Sequence, residues 1–516
     1  MKKLLIANRG EIAIRIARTA ADMGIATLSV HSDDDAASLH TRRTDETRAL
    51  KGTGPVAYLD SAQIIAIARE TGCDAIHPGY GFLSENADFA RACAKAGLIF
   101  VGPDPDTLDL FGNKATARIA AQKAAVPVID GISAATSLAE AQAFLRAQKP
   151  GSGVMVKAVA GGGGRGMRPA HSAEELERAY QLCASEAQQA FGNGELYVER
   201  LFPRARHIEV QIVGDGTGAV SHLWERECST QRQRQKLIEI APAPGLPEAV
   251  RVRLLDAAVK LAASAKYRNL GTFEFLVEAS DSDAAEFAFI EANARLQVEH
   301  TVTEEITGID LVRAQLEIAQ GERLKDIGLD QASIPKPRGM AIQLRVNMET
   351  MAADGTAKPA GGTLTAFEPP AGPGIRVDAF GYSGYRTNPR FDSLLAKVIV
   401  HAPSGKLADV AARGYRALSE FRITGVPNNI GFLQTILRHP EFQAAKADTR
   451  FIEENIGELL ADDAATHPAL YFAPAGAVPA PRLAGARVDS RDPLAVLTHG
   501  KTDGPPSSEP ALVPAT

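Results

Sequence analysis

Residues 154–167 read VMVKAVAGGGGRGM, a β-rich run carrying Lys157 that leads into a tract with glycine at Gly161, Gly162, Gly163, Gly164 and Gly166. So little side-chain bulk lets backbone N–H groups approach phosphate oxygens, and Lys157 and Arg165 add positive charge beside them. The tract predicts a phosphate-covering loop. It is not a Walker loop, because the G-K-[ST] ending and the helix expected after it are missing. The alternative for the tract by itself is a flexible hairpin tip.

The first hundred residues alternate short β-rich runs with helical periodicity, the pattern of a doubly wound parallel sheet. Strands are expected at 4–7, 26–31, 75–78 and 98–101, with helices at 11–24 and at 84–96, the latter opened by a Ser84 cap. The first turn, Asn8-Arg9-Gly10, lacks the G-x-G-x-x-G fingerprint, so a dinucleotide site there is not expected. The fold class expected is α/β and α+β. It comprises a Rossmann-like unit over 1–117, a central unit over 118–321, and a mixed α+β unit over 335–460. An Ala/Pro-rich linker or tail follows over 462–516.

With 516 residues and 45% hydrophobic content, the chain can bury a large core. Its net charge of -6 arises from 62 acidic and 56 basic residues without any basic block, which argues against nucleic acid and anionic membranes as partners. No apolar stretch is long enough to span a bilayer and nothing suggests export, so a cytoplasmic location is expected. Cys73, Cys93, Cys183 and Cys228 lie far apart, without metal-ligand spacing, and read as reduced, buried thiols.

Two further segments carry chemistry. Strand alternation through 289–295 puts Glu291, Asn293 and Arg295 on one face, and Glu274 in the run 271–275 can face them from a neighbouring strand. Carboxylates opposite a phosphate loop suit magnesium, a hard cation that prefers oxygen ligands and bridges substrate phosphates. Arg295 and Glu299, within 295–300, pair a guanidinium with a carboxylate that can hold a small oxyanion and take its proton. Read alone, that segment is equally a surface turn.

Taken in order, these residues resemble a known family. Ala7-Asn8-Arg9-Gly10-Glu11, the run 77–86 (HPGYGFLSEN), the glycine loop, Glu227-Cys228-Ser229, Lys236, Glu239 and the run 291–300 (EANARLQVEH) resemble biotin carboxylase over about residues 1–460. The resemblance implies an ATP-grasp fold and ATP-dependent carboxylation of carrier-bound biotin by bicarbonate through carboxyphosphate. It implies ATP contacts at Lys114, Lys157, the glycine loop, Glu199, Phe202, His207 and Gln231, and a Mg2+ or Mn2+ shell of Glu274, Glu291 and Asn293. Glu299 is then the base toward bicarbonate, which Arg295, Gln297 and the Val298 backbone bind. Arg345 stabilises the intermediate and the biotin enolate, Lys236 holds the transferring phosphoryl group, and Tyr80 borders biotin.

The chain departs from the family pattern at three places: Arg234 where histidine is common, Thr301 where proline is usual, and Thr350 where aspartate is usual. Arg234 makes ribose contacts less secure than phosphate contacts. The Met-Lys-Met biotin attachment sequence is missing, so the resemblance implies biotin arriving on a separate carrier protein or a further domain, with a carboxyltransferase elsewhere. A homodimer or larger carboxylase assembly is expected, as part of an acyl-CoA carboxylase whose N-terminal portion this chain would be. The competing readings are another ATP-grasp carboxylate ligase and a non-catalytic nucleotide-binding regulator.

Overall fold

The run at 4–7 is apolar on both faces, as a strand covered by helices on either side must be. In the computed structural model it forms the strand Lys3–Ile6, the centre of a five-stranded parallel sheet. Its neighbours are Ala26–His31 and Glu46–Ala49 on one side, and Ala75–His77 and Ile99–Phe100 on the other. Leu4 and Ile6 pack with Ile12, Ile16 and Ala20 of the helix Gly10–Asp22, while Leu5 and Ala7 pack the opposite way onto Leu28, Ile76 and Tyr58. The helix expected from 84 begins later than sequence implied, at Ala87 rather than Ser84, and a helix Ser61–Glu70 precedes it. Asn86 is its cap, with the side-chain oxygen accepting from the Phe89 N–H at 2.7 Å, while the Ser84 N–H bonds back to Gly81 in the preceding turn.

The structure describes residues 1–132, 135–148, 152–159, 166–202, 204–352, 354–461 and 467–472. The glycines Gly161 to Gly164 and most of the tail at 462–516 lie outside them.

A small antiparallel sheet pairs Val154–Ala158 with Met167–Ala170 and Leu196–Arg200. Helices Leu138–Arg146 and Ala173–Phe191 bury Ala141, Leu176, Ala179 and Cys183 against Val154, Val156 and Val198. The first of these helices opens with a capping box, Ser137 and Glu140 each satisfying the other's backbone N–H.

The largest element is an eight-stranded antiparallel sheet. Its strands run Phe287–Asn293, Arg268–Glu278, Ala205–Asp215, Val220–Arg232, Gln235–Ala241, Met340–Asn347, Leu394–Ala402 and Ile375–Ala379. The last three come from the segment read as a separate third unit, so residues beyond 335 complete the sheet begun near residue 205. The helix Lys114–Lys123 runs through residues 117 and 118. Residues Met1–Leu470 make one compact unit. Among the described residues, no helix is long and apolar enough to cross a membrane.

Candidate active site

The eight-stranded sheet sorts its side chains by alternation. Ile208, Val210, Ile212, Phe273 and Phe275 enter an apolar core with Leu254, Ala258 and Leu261 of the helix Glu248–Ser264. Ile342, Leu344 and Val346 enter another with Val410, Leu418 and Leu433. The intervening residues His207, Glu209, Gln211, Thr272, Glu274, Gln343 and Arg345 therefore share the opposite face, where an ordinary sheet would be solvated. Here all but the half-buried Arg345 are buried.

Lys236 stands at the centre of that face. Its ammonium lies 2.7 Å from Glu209, 3.2 Å from Glu274 and 2.6 Å from Glu299. Burial works against the charged amine, but the surrounding acids outweigh it and hold Lys236 well above its ordinary value. Glu299, fully buried at the start of the helix His300–Thr307, also receives the Arg345 guanidinium at 3.1 Å. Burial opposes its ionisation, yet Lys236, Arg345 and Arg226 hold its carboxyl far below the usual carboxylate range. Arg345 is braced from behind by Glu239 at 2.6 Å. Beneath the cluster Arg226, fully buried, bonds to Glu209 at 2.5 Å, Gln211 at 2.8 Å, Thr303 at 3.0 Å and Thr272 at 3.1 Å.

Glu274 and Glu291 are direct cross-strand partners, as are Thr272 and Asn293. Asn293 and Gln297 donate to Glu274 at 2.7 and 2.9 Å, and His207 approaches its other oxygen at 2.8 Å. Burial would raise the Glu274 carboxyl, but Lys236 and His207 keep it well below its ordinary value; burial likewise opposes His207 ionisation, and Glu274 nonetheless raises its pKa. Two carboxylates and an amide oxygen at one strand pair form a donor set suited to a hard divalent cation. Ligand atoms of His207, Glu209 and Glu274 also converge, as do those of Glu209, Cys228 and Glu299. The Lys236 ammonium already bonds to Glu209, the member common to both groups, and supplies the positive charge there. Arg295 lies just past the strand end at Asn293 rather than on it, and reaches back to donate to the Asn293 side-chain oxygen at 2.8 Å.

Lys114 pairs with Glu291 at 3.0 Å, and the anionic partner outweighs burial to raise the lysine. Lys157 pairs with Glu199, which also holds Arg118 at 3.0 Å. Lys114, Arg118, Tyr197, Glu199 and Phe289 line one cleft. Phe202 lies under the Arg200 guanidinium at 5.3 Å, Gln231 is buried in the strand Val220–Arg232, and Gly166 takes a left-handed φ of +68° beside the Ala158 side chain. Arg234 donates to the Met167 carbonyl at 3.2 Å, tying the large sheet to the small one.

Tyr80 sits on a turn held by Asn8, whose amide donates to the carbonyls of Pro78 at 2.6 Å and Tyr80 at 2.8 Å. Gly79 at φ +65° leaves no room for a Cβ, which would meet Asn8 Nδ2 at 2.8 Å. The Tyr80 hydroxyl donates to Glu11, and burial with that carboxylate pushes the phenol well above its ordinary value. Glu11 in turn pairs at 3.0 Å with the fully buried Lys397, which donates to the Val298 carbonyl at 3.1 Å. Arg295 pairs with Glu85 at 2.9 Å, joining the turn region to the 295–300 segment.

The residues expected from sequence at 236, 274, 291, 293, 295, 297, 299 and 345 thus converge, with Lys114, Lys157 and Glu199 lining or flanking the adjoining cleft. Sequence reasoning passed over Glu209, Arg226 and Lys397. For Glu209 and Lys397 the signal was a charged residue inside an otherwise apolar strand pattern, as in the run 207–213, HIEVQIV, whereas Arg226 lies in the polar run 225–232, ERECSTQR, which offers none.

A three-stranded sheet carrying Lys157 beside a large antiparallel sheet with buried carboxylates is the arrangement of the ATP-grasp class, to which the matched ATP binding domain assigns it. Three family models match in order. They are the biotin carboxylase N-terminal domain over 1–108, the carbamoyl-phosphate synthase L chain ATP binding domain over 113–327, and the biotin carboxylase C-terminal domain over 343–454. Biotin carboxylase of Nostoc sp. is 45% identical over 453 residues, covering 88% of this chain and 98% of that protein. Human mitochondrial pyruvate carboxylase is 48% identical over 459 residues, again 88% of this chain, and the match spans only 38% of that protein's length. The biotin carboxylase domain dimer of Hydrogenobacter thermophilus 2-oxoglutarate carboxylase, solved with MgADP, ADP and bicarbonate, superposes with a TM-score of 0.81 at 39% identity; the match covers 89% of this chain and 98% of that one. The chain belongs to the biotin carboxylase family, ATP-dependent ligases that carboxylate biotin with bicarbonate and require Mg2+.

Proposed function

We propose that this chain carries out the first half-reaction of a biotin-dependent carboxylase, through the Lys236, Glu299 and Arg345 cluster. The supporting observation is the Lys236 ammonium bridging three buried carboxylates, with Arg345 on the far oxygen of Glu299. Lys114, Lys157, the glycine loop, Glu199, Phe202, His207 and Gln231 hold ATP. Glu274, Glu291 and Asn293 hold the divalent cation, Mg2+ or Mn2+, which supplies charge neutralisation at the phosphates when bound.

Arg295, Gln297 and the Val298 N–H orient bicarbonate, and Glu299 takes its proton. A bicarbonate oxygen then attacks the terminal phosphorus of ATP, the bond to ADP breaks, and carboxyphosphate forms. Before that proton transfer Lys236 turns to the terminal phosphate of bound ATP, which it follows through the transfer, so the charge that held the Glu299 carboxyl low already lies on the substrate. Losing that partner raises the carboxyl toward the basicity its task requires. Carboxyphosphate divides into carbon dioxide and phosphate, and the phosphate removes the biotin ureido proton. Arg345 stabilises the resulting enolate, with Tyr80 at its edge. Positioning and charge neutralisation supply most of the acceleration.

Biotin comes on a carrier domain or protein, and a carboxyltransferase chooses the final acceptor. The expectation from sequence is an acyl-CoA carboxylase, with the acceptor itself open between an acyl-CoA and a keto acid; the 2-oxoglutarate and pyruvate carboxylases among the relatives support the keto acid. A dimer, as in the Hydrogenobacter protein, and a cytoplasmic location complete the reading. The test is ADP release by the purified chain with ATP and Mg2+. Release that requires bicarbonate and rises with free biotin supports the proposal. Nucleotide binding without biotin stimulation, persisting when a biotinylated carrier protein is supplied, refutes it.

A further inference from the structure

Thr301, one of the departures from the family pattern, is fully buried two residues after Glu299, and its hydroxyl lies 2.5 Å from Gln343 Oε1. Gln343, also fully buried, presents its Nε2 to Glu239 Oε2 at 3.0 Å. Glu239 is its direct cross-strand partner and grips Arg345, two residues along the same strand face, at 2.6 Å. The direction of each bond follows from chemistry. A carboxylate only accepts, so the Gln343 amide must turn its NH2 to Glu239, which leaves its oxygen facing Thr301; that oxygen requires a donor, and the threonine hydroxyl is one. Without the hydroxyl, a buried amide oxygen goes unpaired and the amide loses what fixes its orientation.

We propose that Thr301 is a positioning residue for the carboxylation reaction, acting through Gln343 and Glu239 to hold the Arg345 guanidinium against Glu299. A proline or valine at this position offers no hydroxyl, whereas serine does. The inference rests on the reading of Arg345 given above. Glu239 is faced by Arg345, Glu299, Lys236 and Cys228 as well as by Gln343, and burial raises its carboxyl while Arg345 pulls it back. Removing one donor raises it further. Glu239 must stay ionised to grip Arg345, so the acid side of the rate profile moves to higher pH.

The experiment measures bicarbonate-dependent, biotin-stimulated ATP turnover of Thr301→Val, Thr301→Ser and Arg345→Gln against pH, with thermal melting of each. Thr301→Val is expected to lose about tenfold in kcat, the scale of one unsatisfied buried polar group, with KM for ATP within about twofold. Its acid limb shifts upward, and Thr301→Ser restores both rate and profile. An unshifted profile with wild-type kcat in Thr301→Val overturns the inference. Equal loss in Thr301→Val and Thr301→Ser, tracking a lowered melting temperature, also overturns it, by showing a packing role. If Arg345→Gln keeps full turnover, the reading of Arg345 fails and the inference with it; an inactive Arg345→Gln beside an unaffected Thr301→Val sinks the inference alone.

Discussion

Replacing Lys236 with methionine removes the charge and keeps most of the stem. The ammonium lost sits 2.7, 3.2 and 2.6 Å from Glu209, Glu274 and Glu299, none more than a few per cent exposed. Arg226, His207 and Arg345 remain on the same three acids. The cost is therefore set at the lower end for a broken buried ion pair, about 3 kcal/mol near neutral pH. At roughly 2 °C per kcal/mol for a large domain, melting falls by roughly 6 °C. The pH dependence is the sharper test. In the native chain Glu274 and Glu299 have folded values below their unfolded ones, so their contribution is present above the unfolded value and is lost as pH falls through the folded value. In the variant burial loses its main opponent and both carboxyls rise, so each contributes less above the unfolded value than it does in the native chain. The gap between the two proteins should thus widen as pH climbs through the carboxylate range, from about pH 4 to about pH 7, in scanning calorimetry. An equal gap at both ends, or a variant that melts higher, would refute the electrostatic account of this cluster.

Glu299→Gln should cut bicarbonate-dependent ATP turnover on the order of 10²–10⁴-fold while leaving ATP affinity nearly unchanged in a calorimetric titration, since the amide cannot accept the proton. Arg226→Met should destabilise by about 3–5 kcal/mol in denaturant unfolding, because four hydrogen-bond acceptors in a fully buried site lose their donor. Chelating divalent cations should abolish ADP release, and Glu291→Gln should raise the Mg2+ concentration needed for half-maximal rate, as read from a metal titration. Gly79→Ala should weaken stimulation by free biotin more than basal ATP hydrolysis, measured as the ratio of the two rates. Its Cβ would meet Asn8 at 2.8 Å and push aside the turn carrying Tyr80.

Periodicity alone located the strand Ala26–His31 and the helix Gly10–Asp22, because each is a run in which burial and local preference agree. It misplaced the helix start at 84, where a serine and an asparagine two residues apart are both good caps and only the preceding turn decides between them. The proposed site residues clustered in sequence at 291–299 were legible because one strand and the segment after it carry them, so order along the chain stands for proximity. Glu209, Arg226 and Lys397 were not, since each gains its role from a partner brought from elsewhere in the chain. The merging of the segment beyond 335 into the central sheet lies in the same class: a hydrogen-bond ladder between Gln235–Ala241 and Met340–Asn347 joins residues about a hundred positions apart. What the sequence determined by itself was the chemistry available and the alternation that separates a polar sheet face from an apolar one. Which carboxylates share one ammonium, and which arginine meets Glu299, was decided only by tertiary structure, because a buried charge is tolerated only beside the partner that folding delivers.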